Sequence, residues 1–183
     1  MQLCSGPECQ KPPSITSTAS QLLDSKGIQL YSYWASSCSY RVRIALNLKD
    51  IKYEYIAINL KKDEQFNIKY SDSLNFMKQV PTLVIDNIIL TQSVPIIEYL
   101  EERDKAHGVR LLPNDLNQRS KVRQITEIIN SGIQPIQNLS LRKKIISLRT
   151  EYEGNKLRES EELPYKYINK WCKKSIEDGF NSL

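Results

Sequence analysis

The chain has 183 residues, 40% of them hydrophobic and 26% charged, with 26 Lys and Arg against 21 Asp and Glu for a formal net charge of +5. This is the balance of a soluble globular protein with room for one large domain or two small ones. It excludes a membrane-spanning helix, since no apolar run approaches ~18 residues, and argues against nucleic-acid binding, since the basic residues are scattered without an aromatic-interleaved basic block.

Residues 1–27 are rich in Ser, Thr, Pro and Gln and poor in apolar residues, so they read as a disordered tail. Cys4 and Cys9 fall in it. With Cys38 and Cys172 they make no disulfide framework, and no signal peptide is evident, so a reducing, cytoplasmic setting is expected. The tail's Ser/Thr content and few acids suit a mitochondrial leader, but it contains no arginine. The one histidine, His107, is far from either tail thiol, so no metal site is expected.

Ile28 to Tyr33 predicts a strand, and Ser37 to about Lys49 predicts a helix. Val42, Ala45, Leu46 and Lys49 share one stripe of that helix, with Ile44 and Leu48 widening it. Lys52 to Ile58 alternates as a second strand, and Asp63 to Tyr70 is a weak helix or loop. Thr82 to Asp86 and Ile88 to Thr91 flank an Asp86-Asn87 hairpin signal. Ser93 then reads as the cap of a helix through about Arg103. Residues 28–106 thus form a small mixed α/β sheet with helices packed on it. A polar linker follows over 107–116, within a breaker-rich stretch that starts near Asp104. From about Leu116 a long helix carries Val122, Ile125, Ile129, Ile133 and Ile136, bent near Gly132 and Pro135. Residues 142–163 are highly charged and read as a surface excursion. A last helix starts near Pro164 and carries Tyr167, Ile168, Trp171 and Ile176. Residues 117–183 therefore form a helical domain, and an incomplete one: two helices alone cannot bury their apolar faces.

Three stretches carry chemistry. In Ser36-Ser37-Cys38-Ser39-Tyr40-Arg41, hydroxyls and a thiol sit at a helix N-terminus, where free N–H groups and the helix dipole favour an anion such as a thiolate. Val80-Pro81-Thr82-Leu83 places a proline directly before a strand. A cis bond there would turn the Val80 main chain outward to pair with a peptide-like ligand, and a trans proline opening a strand is the plainer alternative. Gln92-Ser93 is either a simple cap or, with its amide, a receptor for a carboxylate and an ammonium together.

Together with Leu30-Tyr31-Ser32-Tyr33, Met77-Lys78-Gln79, Ile96-Ile97-Glu98-Tyr99-Leu100, Leu111-Leu112-Pro113 and Ser131-Gly132-Ile133-Gln134-Pro135-Ile136-Gln137-Asn138-Leu139-Ser140, these stretches resemble the zeta class of glutathione S-transferases, which includes the maleylacetoacetate isomerases. The resemblance runs from about residue 28 to 141 and returns more loosely over Trp171 to Leu183. It implies a thioredoxin-like N-terminal domain, an all-α C-terminal domain and glutathione as the cofactor. Ser36 is then the donor to the glutathione sulfur, with Cys38 beside it and Ser37, Ser39 and Tyr40 around it. Val80 pairs with the tripeptide main chain, Gln92 and Ser93 hold its γ-glutamyl end, and Gln65 lies near the glycyl end. Gln134, Asn138, Leu139 and Ser140 reach the site from the helical domain. Arg41 is the candidate for the developing enolate of a dicarboxylic diketo acid substrate. Arg41 and Arg43 lie two apart on the helix, so at most one lines a cleft. The resemblance also implies a homodimer.

Two features depart from the class. Phe76 replaces the usual proline before Met77, and the stretch from Ser140 to Trp171 is longer and more charged than usual. The class continues for further helices that supply a basic contact to the acidic substrate. A short, catalytically weak or inactive glutathione-binding form is therefore the alternative to an isomerase. A thiol-transferase acting through Cys38 is a further one, although such enzymes usually follow the cysteine with Pro-Phe, where this chain has Ser39-Tyr40.

Overall fold

The computed structural model describes residues 27–153 and 162–183. The expected tail over 1–27, with Cys4 and Cys9, lies outside them but for Gly27, as does the 154–161 part of the charged stretch. Two compact units divide at Arg110 and Leu111.

The first unit has the order β1 (Gln29–Ser32), α1 (Ser37–Leu48), β2 (Glu54–Ala57), two 3-10 turns (Leu60–Lys62 and Glu64–Phe66), a one-turn helix α2 (Ile68–Ser71), β3 (Thr82–Ile85), β4 (Ile88–Thr91) and α3 (Ser93–Arg103). The sheet order is β2-β1-β3-β4, with β1 and β2 parallel and the other pairs antiparallel. A parallel pair needs a crossover, and α1 supplies it. The β3–β4 hairpin turns on Asp86 and Asn87, both at positive φ (51° and 61°), the geometry that matches strand twist in a two-residue loop. Tyr99 and Arg103 of α3 reach back to the Asp86 carboxylate. The Arg103 guanidinium is the main reason that carboxyl is held below its usual range.

Side chains alternate across the strands. Tyr31 and Val84 join Ile58, Tyr70, Leu74 and Val80 in a core on one face. On the other face lie Leu30, Leu83 and Ile85, and α1 packs against α3 with Val42, Leu46, Ile96 and Leu100 buried. Burying each such aliphatic side chain contributes about 2 kcal/mol. The buried stripe of α1 is narrower than expected: Ile44 and Leu48 are each 42% exposed. Lys49 ends that stripe wholly buried, its ammonium 2.5 Å from the Glu101 carboxylate and donating to the Asp104 carbonyl.

In the second unit, Asp115 caps α4 (Leu116–Glu127) through the Gln118 N–H. A π-helical turn over Ile128–Ile133 leads into α5 (Gln134–Gln137), so the expected bend spreads across a wide turn with Pro135 in the following first turn. α6 (Leu139–Glu153) corrects the reading of 142–163 as an excursion, because its first part is regular helix. α7 (Glu162–Asn181) buries Ile168 and Cys172 and leaves Tyr167 and Trp171 largely exposed. Gly179 lies against Ile133 so closely that a Cβ would stand 2.5 Å from that side chain, which explains its lack of one. Among the described residues no helix is long and apolar enough to cross a membrane.

Candidate functional site

Ser36 closes the loop between β1 and α1. Its N–H donates to Tyr33 O (3.0 Å), its carbonyl accepts from Tyr40 N–H (2.9 Å), and its Oγ accepts from Ser39 N–H (3.2 Å). The residue is the helix cap, and the cap uses a lone pair of Oγ, not its proton. That proton is left for an incoming acceptor, beside the first N–H groups of α1, which have no acceptor within the helix.

Ser37 is exposed and Cys38 half-buried with a free thiol. Ser39 faces the interior, fully buried, its Oγ without a hydrogen-bond partner. The two arginines diverge. Arg41 Nη1 donates to Ser93 Oγ at 3.2 Å, which joins α1 to the start of α3. Arg43 lies over the rings of Tyr40 (5.1 Å) and Tyr55 (6.0 Å) and donates to the Trp34 carbonyl.

At α3 the expected cap moves by one residue. Gln92 occupies the cap position at φ 70°, with no side-chain cap bond, and Ser93 is the first helical residue. A left-handed φ on a glutamine costs of order 1–3 kcal/mol, and such outliers gather where a ligand is held. Ser93 opens α3, where the Ser93 and Val94 N–H groups have no acceptor within the helix, and the Arg41 guanidinium stands beside its Oγ. That is a receptor for a carboxylate.

The Val80-Pro81 bond is cis, and the strand pairing of β3 begins only at Thr82, beyond it. The Val80 side chain is part of the core cluster. Gln65 is buried, its Nε2 on Asp63 Oδ1 (3.3 Å) and its Oε1 without a partner.

Sequence reasoning passed over a polar cluster next to Val80. Tyr70 OH and Asn75 Nδ2 both donate to the Gln79 carbonyl, Asn75 Nδ2 also donates to Thr82 Oγ1 (3.0 Å), and Asn75 Oδ1 accepts from Met77 N–H (3.1 Å). The sequence does contain a signal: an asparagine and a threonine flank the Val-Pro pair, in a stretch otherwise read for its apolar residues.

Gln134, Asn138, Leu139 and Ser140 belong to the second unit. Asn138 Oδ1 accepts from the N–H (3.0 Å) and Oγ (2.8 Å) of Ser140, so Asn138 caps α6.

Residues 26–102 match the family described as glutathione S-transferase, N-terminal domain. Maleylacetoacetate isomerase of Dictyostelium discoideum is 46% identical over 156 residues, which cover 84% of this chain and 64% of that protein. Among solved structures, bacterial maleyl pyruvate isomerase, a zeta-class glutathione S-transferase, superposes with a TM-score of 0.70 at 36% identity, over 84% of this chain and 66% of that one. Maleylacetoacetate isomerase of Anaeromyxobacter dehalogenans, with dicarboxyethyl glutathione and citrate bound, superposes with a TM-score of 0.65 at 37% identity, over 86% of this chain and 63% of that one. The chain thus spans a little under two thirds of the length of these relatives. Its first unit is a thioredoxin-like glutathione S-transferase N-terminal domain, followed by a helical region, and the chain is a homologue of the zeta-class glutathione S-transferases and the maleylacetoacetate isomerases.

Proposed function

We propose that this protein binds glutathione and uses it to isomerise the cis double bond of maleylacetoacetate, giving fumarylacetoacetate, with glutathione transfer to other electrophiles as a side activity. The observation that carries this reading is the state of Ser36: its oxygen caps α1 while its proton remains free at the positive end of that helix.

The residues fit the tripeptide. Ser36 donates to the sulfur, and with the α1 N-terminus it favours the thiolate over the thiol near neutral pH. Ser37, Cys38 and Tyr40 border the same helix start, and Ser39 acts through its N–H on the Ser36 Oγ, since its hydroxyl faces the interior. Val80 offers its main chain to the cysteinyl unit. Ser93, the α3 N-terminus and Arg41 hold the γ-glutamyl carboxylate, with Gln92 at the ammonium. Gln65 stands near the glycyl end, as the resemblance to the class implies. The resemblance to the class adds Gln134, Asn138, Leu139 and Ser140 as further candidate ligand contacts.

When bound, glutathione supplies a thiolate that adds to the activated double bond, leaves it free to rotate, and departs unchanged. The chain's part is electrostatic: Arg41 and the α1 N-terminus place positive charge where an enolate oxygen develops. Charge on Arg41 serves either role, and its bond to Ser93 favours the γ-glutamyl carboxylate. The reaction belongs to phenylalanine and tyrosine breakdown, in the cytoplasm, and the acting species is a homodimer. These assignments rest on the resemblance to the class.

The test is turnover of maleylacetoacetate by the purified chain with and without glutathione, alongside glutathione binding and sedimentation. Glutathione-dependent formation of the trans product is expected. Folded, glutathione-loaded protein that produces none overturns the isomerase reading in favour of a binding form.

A further inference from the structure

We propose that Tyr70, Asn75 and Thr82 form a buried clamp on the Gln79 carbonyl, and that this clamp holds the Val80 main chain in the position where a peptide ligand pairs with it. The inference rests on the glutathione reading above and names residues which that reading does not include. They are positioning residues: none is placed to touch the ligand.

The hydrogen bonds close as a set. Tyr70 OH has one proton, and it goes to the Gln79 carbonyl. The contact between Tyr70 OH and Thr82 Oγ1, 2.9 Å, is then donated by Thr82. Thr82 Oγ1 in turn accepts from Asn75 Nδ2, whose other proton goes to the same Gln79 carbonyl at 2.9 Å. Asn75 Oδ1 takes the Met77 N–H, and the Asn75 carbonyl takes the Lys78 N–H at 2.8 Å. The main chain from Met77 to Gln79 is thereby pinned at three points by one asparagine. Tyr70 is 4%, Asn75 2% and Thr82 0% exposed, so water does not compete for these bonds. Burial pushes the Tyr70 hydroxyl up to about 12, so it remains a donor throughout the physiological range. The Val80 side chain belongs to the same buried cluster as the Tyr70 ring, so Tyr70 serves both the main chain before residue 80 and the core that holds its side chain.

A buried network of this cost holds one main-chain carbonyl of a surface loop, and Val80 is the next residue. Loosening the clamp would therefore lower affinity for a ligand that pairs with Val80 without altering the sulfur chemistry at Ser36.

The experiment is calorimetric binding of glutathione, and of glutathione N-methylated at the cysteinyl amide, to the full chain and to Tyr70→Phe, Thr82→Val and Thr82→Ser. N-methylation should weaken binding to the parent chain about tenfold by removing one hydrogen bond. In Tyr70→Phe and Thr82→Val, glutathione should bind about five- to tenfold more weakly, the N-methyl penalty should shrink below about twofold, and kcat at saturating glutathione should hold. Thr82→Ser, which keeps the hydroxyl, should bind both ligands as the parent does, and Thr82→Val stands in if Tyr70→Phe does not fold. Folded variants that bind glutathione as tightly as the parent, or that keep the full N-methyl penalty, overturn the clamp. A parent chain that binds no glutathione overturns the glutathione reading and the clamp together; that result is distinct because it appears before any substitution.

Discussion

Ser36 Oγ carries one proton and two lone pairs, and the fold uses a lone pair for the Ser39 N–H while the proton stays free. Cap and donor are thus separable by substitution. Ser36→Ala removes both, so it should cost about 1 kcal/mol of stability and about a hundredfold in kcat/KM, the scale of losing one donor to a developing anion. Ser36→Asp keeps an oxygen acceptor for the cap and places a negative charge where the thiolate should form. Its unfolding midpoint should match the parent, while the pKa of bound glutathione, followed by thiolate absorbance, should rise. An aspartate variant with parental thiolate formation would assign the activation to the helix dipole alone. Cys38 is the other sulfur at this helix start, half-buried and unpaired in a disulfide. If the ligand's sulfur does the chemistry, Cys38→Ala should isomerise at close to the parental rate. Loss of thiol-transfer activity with isomerisation and glutathione affinity intact would favour the thiol-transferase alternative.

At the scale of elements, Lys49 and Glu101 join the end of α1 to α3 through an ion pair whose side chains are 0% and 5% exposed. Arg110 stands 3.8 Å from the same carboxylate. Gly108 presses on this corner: a Cβ there would stand 2.5 Å from Lys49 Cα, and its φ is +64°. Lys49→Met alone removes the cation nearest the buried Glu101 carboxylate and should lower stability by about 3–5 kcal/mol, whereas Lys49→Met with Glu101→Leu should recover most of it. Denaturant midpoints of both variants decide the matter, and equal losses in the single and double variants would show that packing alone is at stake. Lys49 also shows what the sequence exposes and what it hides. Its place on the buried stripe follows from helical periodicity, but its partner lies 52 residues on, and no local pattern marks it. The hairpin at Asp86-Asn87 was legible because two residues determine it. The cap of α3 was misplaced because a serine is the ordinary cap, while the chain spends a left-handed glutamine there instead. The start of α6 was missed because an exposed helix of mixed charge has little periodicity to read. Of the candidate site, Ser36, Val80 and Ser93 sit in short local motifs, whereas the Arg41–Ser93 bond and the Tyr70–Asn75–Thr82 cluster depend on which helix and strand meet in space.

At the scale of the molecule, each unit holds one of the chain's two tryptophans, Trp34 in the first and Trp171 in the second. The proposed ligand contacts are divided in the same way: Ser36, Gln65, Val80, Gln92 and Ser93 fall before the boundary, and Gln134 and Asn138 to Ser140 after it. Single-tryptophan variants, Trp171→Phe and Trp34→Phe, therefore report separately on the two units during denaturation. Glutathione at a hundred times its Kd stabilises whatever binds it by about 2.7 kcal/mol. If the second unit contributes to the site, both transitions should move to higher denaturant, with the larger shift for Trp34 because most contacts lie on its side. A shift confined to Trp34 would remove Gln134, Asn138, Leu139 and Ser140 from the binding site and leave glutathione recognition to the thioredoxin-like unit alone. Coincident transitions without ligand would instead show that the units unfold as one cooperative body, and the ligand shift would then have to be apportioned by substituting Gln134 and Asn138 directly.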